Sequence, residues 1–131
     1  MRRELEALAR ELGVDQDVSL PGFTSNPFAY MARAAVFVLS STYEGLPGVL
    51  IQALACGCPV VSTNCPGGAA EILEDGRYGR LVPVGDPAAM ARAILSTLEA
   101  PPDRGLLQKR ASLFSVDRAM EQYLDVLFVG K

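Results

Sequence analysis

Two apolar runs of strand length, separated by one segment of helix length, constrain the fold of this chain most. The runs are residues 35–40 and 58–63, and in both the apolar residues follow one another without alternation. Such strands are typical of parallel sheets covered on both faces, and parallel neighbours require a crossover connection. Residues 47–56 are long enough for a helical crossover, and Gly57 suits the left-handed residue that ends a helix. The sequence therefore predicts a central βαβ unit.

The same alternation of strands and helices continues on both sides of this unit. Residues 18–20 and 80–84 are predicted as further strands, the first ended by Pro21-Gly22. Asn26 and Asp86 are each followed by proline, the pattern of a helix N-cap. The predicted outer helices cover residues 2–13, 26–33, 69–73, 86–98, 104–113 and 117–128. Together they predict an α/β fold with a mainly parallel sheet, in one domain over residues 1–131.

Composition excludes several classes of function. The formal net charge is -3 and the 12 Lys and Arg residues do not cluster, which argues against nucleic-acid binding. No apolar run reaches the roughly 18 residues of a membrane span and no signal peptide is recognisable, so a cytoplasmic location is expected. Cys56, Cys58 and Cys65 lie close together, but the chain has no histidine. We therefore expect buried thiols rather than a metal site.

In parallel sheets, ligands bind at the carboxyl ends of the strands, which here points to the loops 21–26, 40–48 and 63–68. The second loop opens a helix, whose free N–H groups and positive dipole end suit a diphosphate. The plausible backbone donors are Leu46, Gly48 and Val49, and Gly45 and Gly48 permit close approach of a ligand to the main chain. From the residues alone, an ordinary helix start is the favoured alternative.

Residues 44–61 supply a motif that is specific to one family. Glu44 is followed by seven residues, then Gln52, then Ala-Leu-Ala-Cys-Gly-Cys-Pro-Val. This segment resembles the donor-site signature of retaining GT-B glycosyltransferases of the GT4 type, in which Glu, seven residues and Glu precede Ala-x-Ala-x-Gly-x-Pro-Val. Residues 20–23 and 71–82 also resemble pieces of that family. The matching segments span residues 4–100, and their order and spacing are those of the family.

The resemblance implies a Rossmann-like sheet flanked by helices, a partial GT-B C-terminal domain truncated at its N-terminus. It also implies a transferase of polysaccharide biosynthesis that moves a hexose from a UDP- or GDP-sugar to a glycan or lipid-linked acceptor, without metal or other cofactor. Glu44 would be the catalytic residue, hydrogen-bonding the donor sugar and stabilising positive charge at its anomeric carbon. Gly22 and Phe23 would border the nucleobase, although an ordinary turn is equally compatible with them.

Gln52 departs from the family pattern, because a glutamate there holds the ribose hydroxyls. An amide still donates and accepts hydrogen bonds but loses the charge-assisted part, so donor binding should weaken by roughly 1 kcal/mol. The resemblance also implies that phosphate-binding cations and an N-terminal acceptor-binding domain are missing. The isolated chain is therefore expected to be inactive, and its parent to lie in the cytoplasm or at the membrane periphery.

The resemblance further implies a sheet order of 3-2-1-4-5-6, with residues 18–20, 35–40, 58–63 and 80–84 as strands 3 to 6. Strands 1 and 2 of that order are not expected in this chain, so strand 4 would lack its neighbour. Its unpaired backbone groups would then be open to pairing with another strand. We predict that residues 18–20 pair directly with strand 4, the alternative being another chain. The closing helix, which carries Leu124 and Leu127, is predicted to tuck onto the sheet or to contact a neighbour. A homodimer through the sheet edge or this helix is included in that prediction.

Two other functions are compatible with the same sequence. A noncatalytic nucleotide-binding or interaction module on this scaffold is favoured by Gln52 and by the missing cations. A nucleotide-sugar epimerase of GT-B type fits the pattern of residues 44–59 less well. A dinucleotide-binding dehydrogenase is disfavoured, because no Gly-x-Gly-x-x-Gly follows a strand.

Overall fold

The computed structural model of the protein describes residues 1–128. In this part of the chain three short strands alternate with seven helices. The strands are β1 (Phe37–Leu39), β2 (Val60–Thr63) and β3 (Arg80–Val82). The helices are α1 (Arg2–Glu11), α2 (Pro27–Met31), α3 (Gly48–Ala55), α4 (Ala69–Leu73), α5 (Pro87–Glu99), α6 (Arg104–Ser112) and α7 (Val116–Phe128).

The three strands form a parallel sheet in the order β1-β2-β3. Phe37 lies opposite Val60, and Val61 lies opposite Arg80. This order confirms the predicted sequence of strands 4, 5 and 6. Each connection between neighbouring strands includes a helix, as parallel pairing requires. The carboxyl ends of all three strands therefore meet at one edge of the sheet.

Residues 18–20 do not form the predicted strand. They belong to no strand of the sheet, and Val18 is 44% exposed. Within residues 1–128, β1 pairs only with β2, so the predicted direct pairing of residues 18–20 with β1 is wrong. A short segment becomes a strand only where a neighbour accepts its backbone bonds, and residues 18–20 have no such neighbour in the described part of the chain. In the same part of the chain β1 has a partner on one side only, Val38 is 38% exposed, and residues 35–40 are therefore not buried on both faces as predicted.

Helices cover both faces of the central strand β2, whose four residues are all buried. On one face, Val60 packs in a cluster with Leu50 and Leu54 of α3 and with Leu107 of α6. On the other face, Val61 packs against α5. Burial of this kind stabilises a fold by about 25 cal/mol per Å² of apolar surface. The two-sided cover explains why the β2 segment is a continuous apolar run.

The helix ends follow the sequence signals closely. The side chains of Asn26 and Asp86 accept hydrogen bonds from the N–H groups of Ala29 and Ala89, which confirms both predicted N-caps. Gly57 has a φ of +69°, as expected of the residue after a helix end. These caps place the helix starts, and with them the loops at the sheet edge, within a residue or two of the predicted positions.

Arg110 of α6 fixes the short helix α4. Its guanidinium donates to the carbonyls of Ile72 (2.9 Å) and Glu71 (2.6 Å). The same group lies over the rings of Tyr78 and Phe114, at 5.2 and 5.1 Å from their centroids. Arg110 thereby satisfies carbonyl groups near the end of α4 and covers two aromatic side chains.

The first and last helices present apolar side chains to solvent. Leu8 of α1 is 49% exposed, and α7 contains no buried residue. The prediction that the closing helix tucks onto the sheet is therefore wrong for this chain. Contact with a neighbouring molecule stays a prediction. Within residues 1–128 no helix combines the length and the apolar character needed to cross a bilayer.

Candidate functional site

The loops that follow β1 and β2 are joined to each other at the carboxyl edge of the sheet. The N–H of Glu44 donates to the carbonyl of Pro66 (3.2 Å), and the N–H of Gly68 donates to the carbonyl of Gly45 (2.7 Å). These two bonds run in opposite directions between the loops. The chain around Glu44 is therefore held at its backbone, on an edge where parallel sheets bind ligands.

Two consecutive glycines permit this close approach. Gly67 has a φ of +129°, and a Cβ atom there would lie 2.6 Å from the carbonyl oxygen of Gly45 and nearer still to that of Glu44. A Cβ atom on Gly68 would lie 2.7 Å from Cδ1 of Leu46. Real Cβ atoms are not found at such distances. At Gly68 the end of the exposed Leu46 side chain can move away, whereas at Gly67 the colliding atoms are backbone carbonyls, so the junction of the two loops depends on the absence of a side chain at Gly67.

The carboxylate of Glu44 is half-buried and has one hydrogen-bond donor. The hydroxyl of Ser41 donates to Oε1 at 2.6 Å. Oε2 has no hydrogen-bond partner within residues 1–128. The hydroxyl of Thr63, in turn, donates to the carbonyl of Ser41 at 2.5 Å. The arrangement leaves one carboxylate oxygen available to a hydroxyl group of a ligand.

Helix α3 begins at Gly48, and Pro47 is its N-cap without a capping side chain. The N–H of Gly48 donates to the carbonyl of Leu46 at 2.8 Å, so the prediction of Gly48 as a free donor does not hold for this structure. In the described part of the chain the N–H groups of Gly45, Leu46 and Val49 lack an acceptor. These three groups are open to an anion at the positive end of the helix dipole.

Gln52 lies one turn into α3 and its side chain is exposed. It follows Gly48 by four residues, so both lie on the same side of the helix. The buried side of α3 is formed by Leu50, Ala53 and Leu54. The amide of Gln52 makes no side-chain hydrogen bond within residues 1–128. It is thus free to contact a ligand that lies along the start of α3.

The structure does not bring Gly22 and Phe23 to the junction of the two loops. Gly22 has a φ of +83°, which fits a turn, and the side chain of Phe23 is 96% exposed. The adjoining Pro21 and Thr24 line an apolar groove of about 240 Å³ that reaches Phe37 of β1. Contact of Gly22 and Phe23 with a nucleobase therefore stays a prediction.

Four residues that matter to this geometry were not singled out as site residues from the sequence: Ser41, Thr63, Gly67 and Gly68. The rule for parallel sheets did point to the loops that contain them. The two adjacent glycines just after a strand were a readable signal of close backbone approach. No sequence pattern indicated the side-chain bond between Ser41 and Glu44, because its geometry arises only when the loop is folded.

Cys56 and Cys58 precede β2 and Cys65 follows it, and all three thiols are free. Cys58 and Cys65 are buried and Cys56 is half-buried. Burial raises the pKa of the Cys58 thiol above its ordinary value, and the nearby Cys56 raises it further, against a smaller opposing effect of Arg104. A protonated, buried thiol is a poor nucleophile and a poor metal ligand. The observed burial agrees with a packing role for Cys58 and Cys65.

Comparison with known proteins identifies relatives of this arrangement. The family described as "Glycosyl transferases group 1" matches residues 1–100. An N-acetylgalactosaminyltransferase of Campylobacter jejuni that acts on a diphospho-undecaprenol substrate is 40% identical over 99 residues, 76% of this chain and 27% of the relative. The lipopolysaccharide core biosynthesis glycosyltransferase LpsE of Rhizobium meliloti is 39% identical over 93 residues, 71% of this chain and 27% of LpsE.

Solved structures agree with the sequence relatives. A sucrose-phosphate synthase of Thermosynechococcus elongatus superimposes with a TM-score of 0.83 and 31% identity, over 99% of this chain and 35% of that structure. The Anabaena protein HepE in complex with UDP superimposes with a TM-score of 0.80 and 25% identity, over 98% of this chain and 36% of HepE. These likenesses confirm the predicted fold class, a parallel sheet flanked by helices as in the C-terminal domain of GT-B glycosyltransferases.

The chain spans about a quarter of the length of the curated relatives named above. The match to the family nevertheless covers the residues that build the loop junction and helix α3. It also includes every residue that was predicted to contact the donor. The chain belongs to the glycosyl transferases of group 1.

Proposed function

We propose that this chain is the donor-binding part of a retaining, GT4-type glycosyltransferase that transfers a hexose from a nucleotide sugar. The observation that carries the proposal is the position of Glu44. Its backbone is held by the second loop, Oε1 is bonded to Ser41, and Oε2 is free beside the start of α3. Such a carboxylate can accept a hydrogen bond from a sugar hydroxyl and stabilise positive charge that develops at the anomeric carbon.

The start of α3 supports a place for the diphosphate. The open N–H groups of Gly45, Leu46 and Val49 and the helix dipole both favour an anion there. Within residues 1–128 no arginine or lysine side chain forms a hydrogen bond with the residues 41–48. Charge on the leaving diphosphate would then be balanced mainly by groups outside this loop. We expect an acceptor-binding domain to complete the site, and this chain alone to be inactive.

The relatives suggest the chemistry of the donor and the acceptor. UDP is the ligand in the HepE structure, and the Campylobacter enzyme acts on a lipid-linked saccharide. We propose a UDP- or GDP-sugar as donor and a glycan or lipid-linked saccharide as acceptor, without metal. A cytoplasmic protein that reaches the membrane surface from one side would fit such an acceptor.

Donor binding can be tested by NMR titration of this chain with UDP, GDP, UDP-N-acetylgalactosamine and GDP-mannose. We expect amide shifts in residues 44–52 with at least one nucleotide sugar. Glu44→Gln should weaken that binding about tenfold, because a bond to a charged acceptor becomes a neutral one. Glu99→Gln changes an exposed glutamate at the end of α5 and serves as the matched control. Equal binding by the two variants, or no shifts at all, would refute the assignment.

Gln52 favours a second candidate function, a noncatalytic nucleotide-binding or interaction module. An amide at this exposed position lacks the charge with which the family holds the ribose. The two functions differ in turnover. Sugar release from the donor by a full-length protein that contains this chain supports the transferase. Donor binding without turnover, with turnover still absent after Gln52 is replaced by glutamate, supports the module.

A further inference from the structure

We propose that Thr63 and Ser41 form a positioning relay for Glu44. The relay occupies one oxygen of the carboxylate and leaves the other as the single acceptor for a hydroxyl of the donor sugar. This inference rests on the proposed function for the identity of the ligand. The relay itself rests only on contacts within the chain.

The relay begins in the core. Thr63 is the last residue of β2 and is 4% exposed. Its hydroxyl lies 2.5 Å from the carbonyl oxygen of Ser41 and 3.4 Å from that of Leu39. The short contact is to Ser41, where the chain has just left β1. Since Thr63 is itself fixed by the ladder to β3, it anchors Ser41 to the sheet.

The second step carries this anchoring to the carboxylate. The hydroxyl of Ser41 donates to Oε1 of Glu44 at 2.6 Å, a length typical of a bond to a charged acceptor. The backbone of Glu44 is tied separately, through its N–H, to the carbonyl of Pro66. The main chain of Glu44 is therefore held by the loop after β2, and its side chain is held by Ser41 in the loop after β1. A residue that is fixed at both ends loses little freedom when a ligand binds.

The consequence concerns the rotamers of Glu44. Its χ1 and χ2 angles each have three staggered wells, so a released side chain distributes over up to about nine combinations. Holding one combination in advance favours binding through Oε2 by about three- to ninefold. A ligand without the sugar does not contact Oε2 and gains nothing. The relay should therefore raise the affinity for nucleotide sugar while leaving the affinity for the nucleotide unchanged.

Four variants separate an effect on the position of the Glu44 side chain from a loss of stability of the whole chain. Ser41→Ala removes the hydroxyl, and Ser41→Thr restores it. Ser40→Ala is the matched control, because Ser40 is exposed and its hydroxyl has no hydrogen-bond partner in the described part of the chain. Thermal unfolding of each variant shows whether it is folded before any comparison. Thr63→Val, which keeps the shape of the side chain, tests the first step of the relay in the same way.

The first measurement needs no ligand. Three-bond NMR couplings about χ1 and χ2 of Glu44 should report one rotamer in the wild type and in Ser40→Ala. They should be averaged in Ser41→Ala and report one rotamer again in Ser41→Thr. Averaged couplings in the wild type, or a single rotamer in Ser41→Ala, would overturn the relay.

The second measurement is the ratio of the affinity for UDP-N-acetylgalactosamine to the affinity for UDP. Ser41→Ala should lower this ratio about three- to ninefold, Ser41→Thr should recover it, and Ser40→Ala should leave it unchanged. An equal loss for both ligands would show a structural effect only and overturn the positioning role. If the wild type binds neither probe, the proposed donor class is wrong, and the couplings alone decide whether Ser41 positions Glu44.

Discussion

Gly67→Ala tests the claim that the junction of the two loops requires a residue without a side chain. The substitution adds one methyl group to a residue with a φ of +129°, and that methyl group would meet the carbonyl oxygens of Glu44 and Gly45. Backbone carbonyls cannot swing aside as the end of a flexible side chain does. The loops must therefore separate, or the backbone at position 67 must take up another conformation.

The loss of stability has two parts. A side chain in a sparsely populated backbone region costs about 1–3 kcal/mol. Separation of the loops removes the bonds Glu44 N–H to Pro66 and Gly68 N–H to Gly45, at about 0.5–1.5 kcal/mol each. We therefore expect the free energy of unfolding to fall by about 2–6 kcal/mol. At about 4 °C per kcal/mol for a chain of this size, Tm should fall by about 8–24 °C.

Gly85→Ala is the matched control, because Gly85 has a φ of +77° and nothing lies within 4 Å of the position of its Cβ. This variant bears the conformational cost alone, about 1–2 kcal/mol. Urea unfolding of both variants, followed by circular dichroism, gives their free energies of unfolding. The difference between the two losses is the cost of the contact between the added methyl group and the carbonyl oxygens of Glu44 and Gly45. If Gly67→Ala loses no more stability than Gly85→Ala, the loops are not held by the close contact and the reasoning fails.

Three further predictions concern residues around the site. Arg110→Met should lower the free energy of unfolding by about 2 kcal/mol, since carbonyls near the end of α4 lose a charged donor; a urea midpoint equal to the wild type's would contradict this. The pKa of Cys58 is raised by burial, so the contribution of this thiol to stability is full below the ordinary thiol pKa of about 9 and is lost as pH rises further. The stability of Cys58→Ala should therefore fall less than that of the wild type above this pH. Gln52→Glu in a full-length protein that contains this chain should tighten nucleotide-sugar binding about fivefold by calorimetry, and unchanged binding would exclude Gln52 from the ribose.

The ends of the helices could be predicted from the sequence because they are decided locally, whereas the order of the strands came from the resemblance to a family. A proline after Asn26 or Asp86 and a glycine at position 57 act through the backbone of a few residues. The apolar run of β2 is a signal of another kind, because it reflects the helices that cover both faces of the strand. It predicts burial of the strand but does not identify the helices that provide it.

Residues 18–20 show where local information ends. Their composition suits a strand, but a strand exists only if a partner accepts its backbone bonds, and sequence pattern does not identify the partner. Pro21, Thr24 and residues of α2 line an apolar groove together with Phe37 of β1, so the chain after residues 18–20 lies near β1 without pairing with it. The exposed α7 is a similar case, because none of its apolar side chains is buried within residues 1–128.

The site divides into a part fixed by the backbone and a part that depends on one side chain. Glu44 is set by two loop–loop bonds and by the hydroxyl of Ser41, and the glycine at 67 admits no substitute without moving the loops. Gln52 is different, because it is exposed, contributes nothing to the buried side of α3, and can change without disturbing that framework. The replacement of the family's glutamate by Gln52 therefore falls at a position where it disturbs the fold less than a change at Glu44 or Gly67 would. On the proposed function, we expect it to alter the affinity for a nucleotide while the geometry around Glu44 is preserved.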